Sequence, residues 1–446
     1  MDAMGRNPIP KKSYKIDSRK EVITEMKMKK INFIFLALFL ASLYCPAHAE
    51  PVPLPEDLNV VQPISDIPKE IASFSGVWVG GSWDGVLPHI LVVERIESNG
   101  NASVIYAIGD CPEWNIRSGW IRVLGKIEKG QLEFSFQDGR TRVWYKLEGE
   151  SKLIGFYETA RVASFVILEK TRTLTREEIL RLCQEKKMRI EAENIQIPIK
   201  TRGLFGGVKT LKLEATLYRP SREGNFPMVV FNHGSTGPGR IPATLTLKNE
   251  AQANYFIHRG YSVISPMRKG RGSSEGTYNE PYACDSASVS IGLNSAAEDL
   301  DGVFGFISDQ PYVDNENILL TGVSRGGILS VYYAGNGKHR SKVKGVINFV
   351  GGWMGERCGT DLNSPVFAKA GKATKLPMLW LYSEGDSFYS PTAIKDYLKA
   401  FTKAGGNAEF KLYGSVPGDG HRLASFISAW KEAADQYLDS ISFGKH

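Results

Sequence analysis

The chain has 446 residues, 42% of them hydrophobic and 23% charged, with a formal net charge of +7 and five cysteines. The first 49 residues hold nine Lys/Arg and four Asp/Glu, so the remainder carries only +2, which excludes a nucleic-acid surface built on bulk charge. What remains exceeds the length that one hydrophobic core serves, so two domains are expected.

At the start, Lys27, Lys29 and Lys30 precede the apolar run Ile31–Leu40, and Ala47-His48-Ala49 supplies small residues. Charged region, apolar region and cleavage site follow one another as in a secretory signal. The run is shorter than the about 20 residues a span needs. Residues 1–49 are therefore expected to be a leader and signal peptide. The mature protein is expected to be exported, periplasmic or secreted, with no stable membrane anchor. Residues 50–71 read as an extended N-terminus containing Pro51–Pro68.

Residues 72–170 alternate apolar and polar side chains in short segments: 76–83, 89–96, 102–108, 120–127, 132–137, 141–147, 153–157 and 163–168. Turn residues such as Ser98-Asn99-Gly100-Asn101, Lys129-Gly130 and Asp138-Gly139 separate them. That pattern predicts a small antiparallel all-β, barrel-like domain. Eight strands can close around one small ligand, so both a docking role and a ligand-holding role stay open. Gly76-Val77-Trp78 resembles the G-x-W of lipocalin-like barrels, which implies that Arg161 covers the tryptophan. Residues 171–189 read as a linker with a helix over 176–188, N-capped by Thr175.

From 190 to 446 the pattern changes. Extended apolar runs at 211–218, 228–231, 261–266, 318–320, 343–350, 378–382 and 410–413 alternate with helical candidates at 247–258, 296–308, 327–334, 391–404 and 424–438. Alternation of this kind predicts α/β architecture with a mostly parallel sheet covered by helices on both faces. Functional groups then gather at the carboxyl ends of the strands.

One motif at such an end carries chemistry. Gly322-Val323-Ser324-Arg325-Gly326 fits G-x-S-x-G between an apolar strand and a helix, the context that forces a serine to the tip of a sharp turn. A base and an acid are expected further along, in the order serine, acid, histidine. His421, in Gly418-Asp419-Gly420-His421, is the candidate base. Asp386, in Ser383-Glu384-Gly385-Asp386 after an apolar strand, is the candidate acid, with Glu384 in reserve. For the oxyanion hole the candidates are the backbone N–H groups of Arg325 and of Ser235, the latter in Asn232-His233-Gly234-Ser235. His233 lies in the wrong chain order for the base and reads as a loop-fixing residue.

Together with Arg268-Lys269-Gly270-Arg271-Gly272-Ser273-Ser274-Glu275-Gly276, these segments make residues from about 190 to 440 resemble the α/β-hydrolase superfamily, dienelactone-hydrolase-like and prolyl-oligopeptidase-like serine hydrolases above all. The resemblance implies an α/β-hydrolase fold and a Ser324-His421-Asp386 triad. Dienelactone hydrolases proper use a cysteine nucleophile where this chain has Ser324, which argues against dienelactone as its substrate. Arg268 and Arg271 are candidate ligands for a substrate carboxylate, or braces of their own loop through acids such as Glu275. Four cysteines follow the leader. Cys284 with Cys358 is the preferred disulfide, since both lie in loops leaving the same edge of the expected sheet, and Cys111 would then pair with Cys183.

No Cys/His spacing suits a metal and no glycine loop suits a phosphate, so neither metal nor cofactor is expected. The segment 277–300 is expected to overhang the pocket, and 351–375 to form a small cap. Three functions follow from these residues. The first is an exported serine hydrolase acting on a small-molecule ester or short acylated substrate. The second is a secreted peptidase on the same triad. The third is a binding protein in which the barrel does the work.

Overall fold

Side-chain alternation along the first eight strands closes them into an antiparallel barrel, in which each strand pairs with the next and β1 with β8. The computed structural model describes residues 52–444, apart from 137–138, 173–174, 186–189, 203–206 and 238–240. The signal peptide, the end of the linker helix and a partner for Cys111 at Cys183 lie outside the described residues. A helical turn, α1 (Lys69–Ala72), leads into β1 (Gly76–Trp83), β2 (Leu87–Ile96), β3 (Asn101–Ile108) and β4 (Gly119–Glu128). β5 (Gln131–Phe136), β6 (Thr141–Glu148), β7 (Lys152–Glu158) and β8 (Ala163–Thr171) complete the circuit.

Three apolar faces account for the sequence of these strands. Trp78, Leu91, Val93, Val104, Tyr145 and Leu168 point inward and fill the barrel. Outside β1–β3, Val77, Val79, Ile90 and Val92 are covered by Val52 and Leu54 of the N-terminal segment and by Ile179. Outside β6–β8, Trp144, Ile154, Phe156, Phe165 and Ile167 belong to the core of the second domain. Each such side chain contributes about 1.5–3 kcal/mol when fully buried, so this face joins the two domains firmly.

The cation over Trp78 is Lys170, not Arg161. Its Nζ sits 5.0 Å from the ring centroid and donates to the Ser73 carbonyl at 2.8 Å. Arg161 lies on the opposite rim, where its carbonyl accepts a hydrogen bond from Arg422. The reason is register: Trp78 pairs with Lys170 near the end of β8, whereas Arg161 precedes its first residue, Ala163.

The linker helix α2 (Arg176–Glu185) begins with a reciprocal cap. Thr175 Oγ1 accepts from the Glu178 N–H at 3.3 Å, while Glu178 accepts from the Thr175 N–H at 2.8 Å. Beyond it lies an eight-stranded sheet: β9 (Ala192–Arg202), β10 (Val208–Tyr218), β11 (Phe226–Asn232), β12 (Ser262–Pro266), β13 (Val313–Val323), β14 (Val343–Phe349), β15 (Pro377–Ser383) and β16 (Asn407–Tyr413). Their spatial order is β9-β10-β12-β11-β13-β14-β15-β16. β10 runs antiparallel to both its neighbours, and the pairs from β12 through β16 are parallel. This is the α/β-hydrolase fold, preceded by the barrel. The strand order reverses at β11, and the carboxyl ends on either side of such a reversal form a crevice.

The helices are α3 (Glu250–His258), α4 (Ser286–Ser308), α5 (Arg325–Asn336), α6 (Ser364–Ala373), α7 (Pro391–Lys403) and α8 (Ile427–Ser440). The strand β9 and the helix α6 are additions to the expected elements, although Ile195, Ile197 and Ile199 alternate along β9 and Phe367, Ala370 and Gly371 share one face of α6. The helix expected over 296–308 begins earlier, at Ser286, so α4 takes in the second half of the segment 277–300. Asp285 caps it, accepting from the Ser288 N–H at 2.7 Å. The weak helix formers that follow are held by packing: a Cβ on Gly292 would lie 2.5 Å from the Trp353 ring, so that glycine is where the indole seats. Among the described residues no helix is long and apolar enough to cross a membrane.

Candidate active site

Backbone geometry singles out Ser324 before any side chain does. It sits between β13 and α5 with φ 56° and ψ −120°, a conformation that costs a non-glycine residue about 1–3 kcal/mol. The flanking glycines make the turn possible. A Cβ on Gly326 would lie 2.0 Å from the Asn232 carbonyl oxygen, and one on Gly322 would lie 2.5 Å from that of Gly326. The loop after β11 therefore presses directly on the elbow, and at Gly234 it lies against the Ser324 side chain.

Two further loops meet beside it. In the loop after β15, Asp386 Oδ1 accepts the N–H groups of Phe388 at 2.8 Å and Tyr389 at 3.2 Å. His421 Nδ1 lies 2.9 Å from Asp386 Oδ2 and 3.0 Å from Oδ1, and the carboxylate is fully buried. A carboxylate only accepts, so Nδ1 carries the proton and Nε2 keeps its lone pair. Asp419 locks the two loops together, accepting from the N–H groups of His421 at 2.9 Å and Ser387 at 3.1 Å. Glu384, the reserve acid, is exposed, and the acid at His421 is Asp386.

Sequence reasoning missed Tyr389. Its hydroxyl lies toward the Ser324 side chain, and its ring centroid lies 5.6 Å from that of His421. Burial raises its phenol far above the ordinary value, so the hydroxyl stays protonated. Phe388 covers the other side of the imidazole at 4.4 Å. The one available signal was position, two and three residues beyond a candidate acid.

A buried ion cluster backs the elbow and the β11 loop. Arg268 donates to the carbonyls of His233 and Gly234, both at 2.9 Å, and to Glu280. Glu280 Oε2 also accepts from Arg325 at 3.1 Å and from the Tyr278 hydroxyl at 3.0 Å. The guanidinium of Arg325 lies 4.2 Å from the Tyr282 centroid and 4.7 Å from that of Trp353. Arg268 is therefore a brace with its donors turned inward rather than a substrate ligand, and its acid is Glu280. Glu275 instead accepts from the Lys212 N–H at 2.9 Å. Arg271 lies over the Tyr278 ring at 3.8 Å.

The brace also orients the oxyanion candidates. In a trans peptide the carbonyl and the following N–H point in opposite directions. Because the Gly234 carbonyl faces Arg268, the Ser235 N–H faces away from it. His233 fixes the same turn as a neutral ring: Nδ1–H donates to the Gly234 carbonyl at 2.8 Å, and Nε2 accepts from the Arg268 N–H at 3.3 Å. Burial, then the positive charge of Arg268, depresses its pKa strongly. Ser235 Oγ meets the Tyr282 hydroxyl at 2.8 Å.

Cys284 and Cys358 form a disulfide across 74 residues of chain. It joins the segment bearing Tyr278, Glu280 and Tyr282 to the one bearing Trp353 and Met354, the two walls around Arg325. Replacing both cysteines by serine is expected to lower unfolding stability by about 2–4 kcal/mol, read as a lower denaturant midpoint. An unchanged midpoint would mean that the walls hold without the bond. Among the described residues no group of three or more His, Cys, Asp or Glu is arranged to hold a metal ion.

Residues 207–353 match the family model described as X-Pro dipeptidyl-peptidase (S15 family), a match that covers less than half of the chain. No curated protein matches it. Among solved structures, a Klebsiella pneumoniae protein assigned as a dienelactone hydrolase is 20% identical, with 57% of this chain and 98% of that one covered and a TM-score of 0.42. Acetyl xylan esterase 1 from Thermoanaerobacterium is 15% identical, covering 56% and 88%, with a TM-score of 0.40. The Pyrococcus furiosus esterase Pf2001 is 11% identical, covering 56% and 90%, with a TM-score of 0.40. These similarities carry no information on substrate. The S15 match and the fold together support a hydrolase of the serine type.

Proposed function

We propose that this protein is an exported serine hydrolase that cleaves carboxylic esters through Ser324, His421 and Asp386. Ser324 Oγ attacks the acyl carbonyl as His421 Nε2 takes its proton, and Asp386 holds the imidazole and stabilises the imidazolium. The N–H groups of Arg325 and Ser235 receive the oxyanion. His421 then protonates the departing alcohol, and water cleaves the acyl-enzyme by the same route. The reading rests on one observation above the others: a buried carboxylate fixes His421 Nδ1, and Tyr389, three residues beyond that carboxylate and 5.6 Å from the imidazole, reaches toward the serine of the strained elbow.

The S15 match favours a second reading, a peptidase releasing X-Pro units. Gripping a free peptide amine needs a carboxylate with capacity to spare. Glu280, behind the elbow, is already shared by two arginines and a tyrosine hydroxyl, so esters are favoured.

Treating residues 50–446 with a fluorophosphonate and weighing the intact protein tests the nucleophile. One adduct per chain is expected, absent from Ser324→Ala and His421→Ala. A folded wild type that takes no label overturns the triad. Comparing p-nitrophenyl acetate with an X-Pro p-nitroanilide then separates the readings, since turnover of the anilide alone would select the peptidase.

A further inference from the structure

The two ends of the barrel differ. Ile67, Phe74 and Trp78 plug the end where β1 begins. At the other end, where β1, β3, β5 and β7 finish, lies a cavity of about 580 Å³. Trp83, Tyr106, Phe136 and Tyr157 form its walls, and Trp114 leans in from a short turn. That volume suits one small molecule.

The chemistry of the lining narrows the ligand. No lysine, arginine or histidine belongs to it among the described residues, so nothing there would neutralise a carboxylate or phosphate. Its one acid, Asp84, is occupied by the Phe165 N–H at 2.9 Å, and burial pushes its carboxyl up to about 7. Next to the cavity His89 is buried and neutral. Its Nδ1–H donates to the Ala107 carbonyl, and Nε2 accepts from the Tyr145 hydroxyl, both at 2.8 Å. Trp83 lies tilted against His89 at 5.2 Å, and its buried indole N–H reaches toward the Tyr106 hydroxyl without attaining hydrogen-bonding geometry. A buried donor left unpaired is costly, so an aromatic cavity that keeps one is suited to a ligand that supplies the acceptor.

We propose that the mouth of the barrel is a binding site for an uncharged, planar aromatic molecule carrying a hydrogen-bond acceptor for the Trp83 indole N–H. It does not depend on the hydrolase reading. It stands next to that chemistry, however. Thr159 and Val162 line the cavity, and between them the carbonyls of Ala160 and Arg161 accept hydrogen bonds from Arg422, the neighbour of His421.

The test is a fluorescence titration of the exported chain with Prodan, a neutral naphthalene ketone, beside the anionic 1-anilinonaphthalene-8-sulfonate. Prodan is expected to bind one per chain, with a blue-shifted emission excited by transfer from tryptophan, and equally well in Ser324→Ala. Phe136→Arg and Tyr157→Arg, both at partly exposed rim positions, are each expected to weaken it about tenfold or more by placing a charge in the apolar mouth. Circular dichroism checks that both variants fold. Absence of saturable binding, or affinity unchanged in both rim variants, overturns the site. Tighter binding of the sulfonate, lost in the same variants, overturns the uncharged ligand class.

Discussion

Ser324→Ala is expected to lower kcat for ester hydrolysis by about 10³–10⁶, and His421→Ala by a similar factor, with the double variant no worse than either single one. Groups that act as one unit lose their effect together, so additivity of the two losses would be evidence against a triad. Asp386→Asn is the sharper probe. The carboxylate accepts from His421 Nδ1 and from two backbone N–H groups, and it is fully buried. An amide keeps the shape but permits the imidazole to settle with its proton on Nε2, facing the serine it should deprotonate. A fall of about 10⁴ in kcat with little change in KM is expected. Activity within tenfold of wild type in a folded Asp386→Asn protein would sink the assignment of the acid. The exposed Glu384 would then need testing in its place.

The parts of the molecule that could be read from sequence are those where backbone geometry dictates residue type. The elbow is legible because a Cβ at Gly322 or Gly326 would collide with neighbouring carbonyls, so the glycines record the turn. The barrel is legible because inward and outward residues alternate between turns, and the sheet because its central strands, such as β11, β12, β14 and β15, are buried on both faces. The pairing of Cys284 with Cys358 was expected from the loops that carry them, and it forms. Other features rest on contacts between distant residues and leave no local trace. Glu280 lies in Asn279-Glu280-Pro281-Tyr282, which has no periodic or motif signal, yet its partners stand 12 and 45 residues away. The replacement of Arg161 by Lys170 over Trp78 depends on register around a closed barrel. The start of α4 depends on an indole seated against Gly292, which propensity cannot foresee. The docking face of the barrel, Trp144 with Phe156 and Phe165, looks in sequence like any other alternating strand.

Glu280→Ala is expected to be among the most destabilising single changes in the catalytic domain, costing about 3–5 kcal/mol. It leaves the guanidinium groups of Arg268 and Arg325, both almost fully buried, without their shared counter-ion. The denaturant midpoint reads this directly, and Glu280→Gln should fall between the two because it keeps an acceptor. A stability loss alone does not show that the cluster orients the oxyanion donors. A buried ion cluster replaced as a whole by apolar residues of similar volume often retains stability. The triple variant Arg268→Met, Glu280→Leu, Arg325→Met is therefore expected to recover much of the midpoint. It should not recover kcat, because the Gly234 carbonyl is then held by His233 Nδ1–H alone and the Ser235 N–H is less firmly aimed. Recovery of both quantities would mean that the loop after β11 keeps its shape unaided and that the cluster is only a structural plug. Recovery of stability without kcat, at unchanged KM, would separate the two roles.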